Sequence, residues 1–348
     1  MSAPLVEVVR GELIEARHRG DIAVVNATGA LRAFVGEPST VAYWRSAAKP
    51  FQAMPLLYEG AMSRWGLTPE DIATVCGSHS GEPVHVERVR ALLERIGCSP
   101  EELSCGAHPP LDAQYAAALA RTGSEPNVLD NNCSGNHAGM LALAIELGAD
   151  RVGYAAPEHP AQREILRNVA LFTGLDSDDI ALGVDGCGAP CYGISLYRMA
   201  LAYARLMTPE VVGEPQANAA GLVRDAMLAQ PYLVGGRDRF DTDLIAAGRG
   251  RLLAKGGAGG VECVGLAEGV GIAIKVEDGT SGPSAGRPGS VVAIEVLRQL
   301  GALDAAQITA LGEHANPRLR TWSGRDVGHA RPVLTLRAAE ARGPVVPS

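Results

Sequence analysis

Short runs of β-branched and aliphatic residues concentrate near the two ends of the chain and predict strands there. The runs are separated by glycines or charged residues, which are typical of turns. Gly269 and Gly271, around the last junction of the late runs, suit a tight hairpin. The predicted strands are 5–10, 13–18, 21–26, 252–255, 262–267, 270–276 and 333–336.

Between these ends, apolar residues recur every three or four positions, which predicts amphipathic helices. The first helix should start near Ser46 or Ala47, because Pro50 is tolerated only in a first helical turn. Two short apolar runs, 72–75 and 180–184, resemble strands instead. The predicted helices are 46–58, 82–96, 112–121, 134–147, 160–172, 194–207, 218–229 and 289–300.

Strands at both ends and helices in the middle predict an α+β fold. The terminal strands would combine into an antiparallel sheet with the helices packed around it. No internal repeat, linker or low-complexity tract divides the chain. We therefore predict a single domain over 1–348, with 343–348 as a frayed tail.

The composition narrows the class of protein. The 348 residues carry a formal net charge of −8, and no basic patch stands out, which disfavours nucleic acid and anionic membranes as partners. The first residues lack the pattern of a signal peptide, and no apolar run is long enough to span a bilayer. Seven cysteines, an odd number, favour reduced thiols over a disulfide framework. We therefore expect a cytoplasmic protein.

Lysine is rare, since only three of the 31 basic residues are lysines: Lys49, Lys255 and Lys275. A buried ammonium can lose its proton and act as a base, whereas a guanidinium stays charged. Lys49 ends a Ser-x-x-Lys motif that begins at Ser46. Three residues along a helix place both side chains on one face, so Lys49 could accept the Ser46 proton. The alternative is that Ser46 is an ordinary helix cap.

Two polar segments precede predicted helices and are further candidates. Residues 76–82 combine Ser78, His79 and Ser80 with glycines, as in loops that present nucleophiles, although a helix cap would look the same. Residues 130–137 read Asp-Asn-Asn-Cys-Ser-Gly-Asn-His. Capping a helix needs one polar side chain, and this segment has more polar side chains than capping explains.

Two cysteines in Gly-rich turns, Cys133 and Cys187, could supply two thiolates to one metal ion. His137, Asp185 or water would have to complete a zinc site. Buried, unreactive thiols are the alternative. A last candidate is Lys255, because the glycines that follow it would let a ligand approach the backbone closely. The alternative is that these glycines form an ordinary turn.

The order of these motifs resembles the rhizobial-type (class 3) L-asparaginases, the asparaginase II-like family, from Val6 to about Arg331. The motifs are Arg45-Ser46-Ala-Ala-Lys49-Pro50-Phe51-Gln52, Cys76-Gly-Ser78-His79-Ser80-Gly-Glu82, Asn131-Asn132-Cys133-Ser134-Gly135-x-His137-Ala-Gly-Met140, Asp185-Gly-Cys187-Gly188-Ala-Pro190 and Lys255-Gly-Gly.

The resemblance implies a fold like that of serine β-lactamases and glutaminases, and a homodimer. It implies two Ser–Lys pairs, Ser46 with Lys49 and Ser78 with Lys255. It also implies a zinc site in which Cys133 and Cys187 are ligands and Asp185 is the neighbouring acid. The family's third zinc ligand is a lysine, and the chain has Asn136 at that position. An amide is a poor zinc ligand beside two thiolates, so we predict weak or absent zinc.

The resemblance further implies hydrolysis of L-asparagine, with Ser46 as nucleophile, Lys49 as base, and Ser78 and Lys255 in support. A β-lactamase-like or esterase-like serine hydrolase remains an alternative, and so does a noncatalytic protein that binds a metal or an amino acid. The candidate substrate contacts are Arg45, His79, Asn131, Asn132, His137 and Gly257.

Overall fold

The computed structural model describes residues 1–58, 60–280 and 287–339. The predicted tail at 343–348 lies outside the described residues. The strands are β1 Ala3–Arg10, β2 Leu13–Asn26, β3 Leu31–Val35, β4 Val41–Tyr43, β5 Ala181–Val184, β6 Pro190–Ser195, β7 Leu252–Gly257, β8 Val261–Leu266, β9 Val270–Val276, β10 Arg318–Arg320, β11 Asp326–Pro332 and β12 Arg337–Ala338.

The helices are α1 Lys49–Tyr58, α2 Ala61–Trp65, α3 Pro69–Cys76, α4 Pro83–Arg95, α5 Ala113–Thr122, α6 Ser134–Glu146, α7 Pro160–Thr173, α8 Leu196–Met207, α9 Gln216–Ala229, α10 Pro231–Val234, α11 Phe240–Ala247, α12 Pro288–Gln299 and α13 Ala305–Ala310. Within the described ranges, no helix is both long and apolar enough to cross a membrane.

The chain forms two compact units. The first unit comprises Met1–Ala47, Gly193–Thr208 and Asp243–Ser348, and the second comprises Ala48–Tyr192 and Pro209–Thr242. One division falls between Ala47 and Ala48, so Ser46 belongs to the first unit and Lys49 to the second. That the chain acts as one domain therefore stays a prediction.

The first unit is built on an antiparallel sheet with the strand order β10-β11-β1-β2-β9-β8-β7. The two N-terminal strands β1 and β2 lie side by side between C-terminal strands: β1 pairs with β11, and β2 pairs with β9. β3 pairs with both β2 and β12, and β4 pairs with the last residues of β6. The α+β class and the antiparallel sheet of terminal strands, predicted from the sequence, are thus confirmed.

Helix α8 packs closely on this sheet because the strands beneath it carry glycines. A Cβ atom added to Gly271 of β9 would lie 1.8 Å from the carbonyl oxygen of Ala200. At Gly265 of β8 it would lie 2.6 Å from Cγ of Met207. Tyr203 of α8 donates a hydrogen bond of 2.7 Å to the carbonyl of Ala47. The close approach of α8 therefore also fixes the end of the segment that carries Ser46.

The second unit is mostly helical, and helices α3 and α6 cross at two glycines of α6. A Cβ atom on Gly135 would lie 2.6 Å from the carbonyl oxygen of Thr74, and one on Gly139 would lie 2.4 Å from Cγ1 of Val75. Helices α1 and α9 also pack against α3. The crossing brings the C-terminal end of α3 beside the N-terminal end of α6, where the predicted site residues are.

Two of the predicted strands are wrong. The run 72–75 belongs to helix α3, which starts at Pro69 behind a capping box formed by Thr68 and Asp71. A short apolar run does not distinguish a buried strand from a buried helix, and the capping signal decides here. The run 333–336 is irregular, and the neighbouring strands are β11 and β12. Residues 13–18 and 21–26 form one continuous strand, β2.

We expect Gly271→Ala to destabilise the protein, because the added methyl group meets backbone atoms of α8 that cannot move aside. The free energy of unfolding in urea should fall by about 2–3 kcal/mol or more. Gly221→Ala in α9 is the control, since nothing lies within 4 Å of its added Cβ. That change should stabilise by up to about 1 kcal/mol. Equal effects of the two substitutions would contradict the close packing of α8.

Candidate active site

Lys49 is the centre of a buried cluster in the second unit. It is the first residue of α1 and only 2% exposed. Its Nζ donates to the carbonyl oxygen of Gly77 at 2.8 Å, to Oγ of Ser78 at 3.0 Å and to Sγ of Cys133 at 3.2 Å. These three acceptors match the three hydrogens of an ammonium group. A buried lysine is therefore held directly against a buried serine hydroxyl.

Cys133 and Cys187 lie together, and their side chains are hydrogen-bonded. This bond, with Cys187 as donor, lowers the pKa of Cys133, and the Lys49 ammonium lowers it further, against the opposing effects of burial and of Asp185. The same bond and burial raise the pKa of Cys187. Cys133 is therefore the thiolate of the pair and Cys187 the thiol.

Asp185 lies in a tight turn just before Cys187. Its Oδ1 accepts a hydrogen bond of 2.6 Å from the backbone N–H of Gly186, and its carbonyl accepts one of 2.9 Å from Gly188. Its negative charge acts on both His137 and Cys133, raising the pKa of each. Asp185 thus acts electrostatically on two members of the cluster around Lys49, Cys133 and His137.

His137 of α6 is fully buried, and one of its ring nitrogens has no partner among the described residues. Nδ1 is 2.7 Å from the hydroxyl of Tyr154, which also accepts from the backbone N–H of Ser104. Burial raises the pKa of Tyr154 to about 12, so its O–H is intact. Burial and the Lys49 charge lower the pKa of His137 to about 3. His137 is therefore neutral, and its Nε2 has no hydrogen-bond partner among the described residues.

Asn131 orients the start of α6. Its amide nitrogen donates to the carbonyls of Cys105 and Gly106, both at 2.9 Å, and its oxygen accepts from the backbone N–H of Cys133 at 2.8 Å. A contact between substrate and the amide nitrogen of Asn131 would require these bonds to break, whereas Oδ1 can accept a second hydrogen bond. The neighbouring Asn132 is half-buried, and its Oδ1 lies 3.3 Å from Sγ of Cys133.

His79 is also occupied by internal bonds. Nδ1 accepts from the N–H of Gly81 at 3.2 Å, and Nε2 is 2.9 Å from Oγ of Ser134. The Ser134 hydroxyl donates to the carbonyl of Leu129, so Nε2 of His79 is the donor. Burial holds the pKa of His79 well below its usual range. His79 is therefore a neutral imidazole that connects its loop to α6.

The other predicted site residues lie in the first unit. Lys255 of β7 is completely buried, and its Nζ donates to the carbonyl of Gly256 at 2.7 Å. A Cβ atom on Gly257 would lie 2.8 Å from the carbonyl of Trp44 and 3.2 Å from Cβ of Arg45. The end of β7 thus runs directly beside the segment that carries Ser46. Arg45 itself has φ of 53°, a left-handed conformation that is uncommon for a residue with a side chain.

The residues present do not fit the zinc site that the resemblance implies. Asn136, at the position of the third ligand, donates its amide hydrogen to the carbonyl of Val75 at 3.2 Å. Lys49 already occupies a hydrogen-bonding position on Cys133. Within the described part of the chain, no three His, Cys, Asp or Glu side chains are grouped so as to hold a metal ion.

Several partners of the site had no signal in the sequence. Tyr154 lies in an irregular stretch between α6 and α7, and the carbonyl of Gly77 is a backbone group. The sequence paired Lys49 with Ser46 and Ser78 with Lys255, whereas the Ser–Lys contact that the structure shows joins Lys49 to Ser78. The pairing of Lys49 with Ser46 stays a prediction. In the sequence, the polar residues at the start of α6 exceeded what capping explains, whereas those before α4 fitted a helix cap equally well.

A buried Ser–Lys contact beside a thiolate defines this as a candidate hydrolase site. The family model for L-asparaginase II matches residues 6–332. The chain belongs to the L-asparaginase II family, as the order of its motifs predicted, and is a hydrolase of that family.

Two solved structures are similar to the chain at low identity. One is assigned as a β-lactamase from Bacteroides dorei, with 15% identity, a TM-score of 0.43, and coverage of 80% of this chain and 92% of that chain. The other is a β-lactamase from Mycobacterium bovis, with 14% identity, a TM-score of 0.40, and coverage of 80% and 94%. No curated protein gives a significant match. The family membership therefore rests on the sequence match.

We expect the purified protein to bind zinc weakly or not at all, because Asn136 supplies an amide where a stronger ligand is needed. Elemental analysis measures the metal content directly. Asn136→Lys should increase zinc affinity in a titration, and Asn136→Gln, which keeps an amide, is the control. One tightly held zinc per chain in the unaltered protein would contradict this expectation.

Proposed function

We propose that the protein is an L-asparaginase, which hydrolyses the side-chain amide of L-asparagine to give L-aspartate and ammonia. The observation that supports this most is the buried ammonium of Lys49 at 3.0 Å from Oγ of Ser78, in a chain of the L-asparaginase II family. A lysine in contact with a serine hydroxyl can exchange a proton with it, which is what activates a serine nucleophile.

In the proposed reaction, Oγ of Ser46 attacks the amide carbon and Lys49, in its neutral form, takes the hydroxyl proton. Ammonia leaves with a proton returned from the lysine, and a β-aspartyl ester remains on the serine. Water then hydrolyses the ester and releases aspartate. Ser78 and Lys255 orient Lys49 and Ser46 and pass protons between them.

The hydrogen bond between Lys49 and Ser78 also makes Ser78 a candidate for the attacking residue. It is 3% exposed, follows directly on the end of α3, and has a fixed backbone, since its N–H donates to the carbonyl of Val234 at 2.9 Å. The two serines are distinguished by which of them carries the β-aspartyl ester. Mass spectrometry of the acid-quenched reaction with asparagine identifies that serine.

Substrate recognition requires groups for an α-ammonium, an α-carboxylate and the developing oxyanion. Nε2 of His137, which has no partner among the described residues, is a candidate contact, and in the tautomer that carries its hydrogen there it would donate to an oxygen of the substrate. Asn132 and Arg45 are further candidates for the charged end. The backbone N–H groups near Ser46 and Gly257 are candidates for the oxyanion.

The proposal includes a homodimer that acts in the cytoplasm, as the sequence led us to expect. Light scattering of the purified protein measures the assembly, and fractionation of cells measures the location.

We expect Ser46→Ala, Lys49→Met and the double substitution to lose comparable activity, because each change leaves the other residue without its role. The loss of kcat should be on the order of a thousandfold or more. Lys275→Met is the matched control, since it removes the third lysine, which is outside the motifs and bonds only to carbonyls in the contacts described. Additive losses from the two single changes would rule out the pairing of Ser46 with Lys49.

We expect glutamine to be a poor substrate, because one added methylene moves the amide carbon relative to the groups that hold the charged end. A displacement near 1 Å can cost about 100-fold in rate. Ammonia release from L-asparagine, L-glutamine and D-asparagine should be compared on one preparation with turnover of a chromogenic β-lactam. Similar rates for glutamine would reject the length argument. Turnover of the β-lactam without asparagine would favour a β-lactamase-like hydrolase, and binding without any turnover would favour a noncatalytic protein.

A further inference from the structure

Glu82 is a buried carboxylate whose role is not explained by its place in the sequence. It stands at the N-cap of α4, 4% exposed, yet its side chain makes no capping hydrogen bond. Its Oε2 accepts from Oγ of Ser80 at 2.9 Å and from the backbone N–H of Arg237 at 3.1 Å. Its Oε1 accepts from the hydroxyl of Tyr232 at 2.6 Å. The carboxylate therefore connects its own loop to the segment 231–237.

The same two segments are joined by their backbones. The N–H of Ser78 donates to the carbonyl of Val234 at 2.9 Å, and the N–H of Ser80 donates to the carbonyl of Gly235 at 2.8 Å. The segment 231–237 thus holds the Ser78 backbone in place, and Glu82 holds that segment in turn. We call these two segments, 77–82 and 231–237, the serine brace.

The two segments of the serine brace are packed too closely to shift independently of each other. Gly236 has φ of 119°, and a Cβ atom there would lie 1.8 Å from Oγ of Ser80 and 2.7 Å from Oε2 of Glu82. A Cβ atom on Gly77 would lie 2.8 Å from the carbonyl of Leu233. Because the two segments are in contact through backbone atoms, a shift of one segment displaces the other. A change at Glu82 is therefore expected to move Ser78 and not to be absorbed locally.

We propose that Glu82 is a positioning residue for Ser78. Its carboxylate fixes the segment 231–237, which in turn fixes the Ser78 backbone so that Oγ stays within hydrogen-bonding distance of Lys49. The inference rests on the proposed function, because it assigns Ser78 to the reaction. Glu82 itself does not touch the substrate.

The charge of Glu82 matters because its partners are donors. Arg237 presents both its backbone N–H to Oε2 and, at 3.4 Å, its guanidinium to Oε1. In Glu82→Gln, the amide NH2 faces a donor of Arg237 whichever way the amide turns. The side chain keeps its size, so the variant should fold, but the brace loses part of its hydrogen bonding.

The matched control is Asp71→Asn. Asp71 is also a fully buried carboxylate, bonded to Arg95 at 2.6 Å and to the N–H of Thr68 at 2.9 Å. It stabilises the start of α3, the helix that leads into Ser78, without contacting the serine brace. Both substitutions should therefore lower the stability of the protein. Only Glu82→Gln should also displace Ser78.

The experiment measures kcat and KM for L-asparagine well below the melting temperature of each variant. Glu82→Gln should lower kcat by about 10- to 100-fold with KM changed less than about threefold, because misplacement near 1 Å has effects of this size. Tyr232→Phe, which removes one bond to Oε1, should lower kcat by a smaller factor. Asp71→Asn should lower the melting temperature and leave kcat within about twofold.

A second readout does not depend on activity. Hydrogen–deuterium exchange at the amides of Ser78 and Ser80 should be faster in Glu82→Gln than in the unaltered protein, and unchanged at Ser80 in Asp71→Asn. A lowered melting temperature with normal kcat and normal exchange would make Glu82 purely structural and overturn the inference. If the unaltered protein releases no ammonia from asparagine, the proposed function fails, and the exchange result alone decides whether the brace holds Ser78.

Discussion

The site depends on the burial of one ammonium group, that of Lys49. A buried charge is costly unless each of its hydrogens is bonded and a counter-charge is near. Gly77, Ser78 and Cys133 meet both needs, and they belong to the end of α3 and the start of α6. Helices α3 and α6 must therefore meet at this point. The Ser78 hydroxyl and the Cys133 thiolate lie close together because both are hydrogen-bonded to the Lys49 ammonium.

The thiolate and the ammonium also restrain each other. Sγ of Cys133 lies 3.2 Å from Nζ of Lys49, and the Lys49 charge lowers the pKa of Cys133, whereas a lysine that acts as base in the proposed reaction must be neutral. Cys187 and Asp185 act on Cys133 in opposite directions, the first by donating a hydrogen bond and the second by repulsion. The proposed Ser–Lys chemistry thus takes place in contact with a wider hydrogen-bonded network that includes Cys133 and Cys187.

Much of the fold was predictable from local patterns, and the motifs supplied the candidate site residues, whose roles stay predictions. The alternation of β-branched residues predicted β9 with its observed bounds, and the terminal strands pair as expected. The run 72–75 misled because four apolar residues fit a strand or a helix equally well. Long-range partners had no local signal: Tyr154 and His137 are bonded across a loop, and Glu82 is bonded to Tyr232 from 150 residues away. Such contacts depend on tertiary packing, and no local pattern in a single sequence indicates which distant residues will meet.

The crossing of α3 and α6 has a consequence for how the chain can diverge. Gly139 faces Val75 so closely that a larger residue at 139 requires a smaller one at 75. At Gly135 the facing atom is the backbone carbonyl of Thr74, which no substitution removes. Descendants of this sequence are therefore free to exchange volume between positions 75 and 139 as a correlated pair, while position 135 stays glycine for as long as the two helices cross.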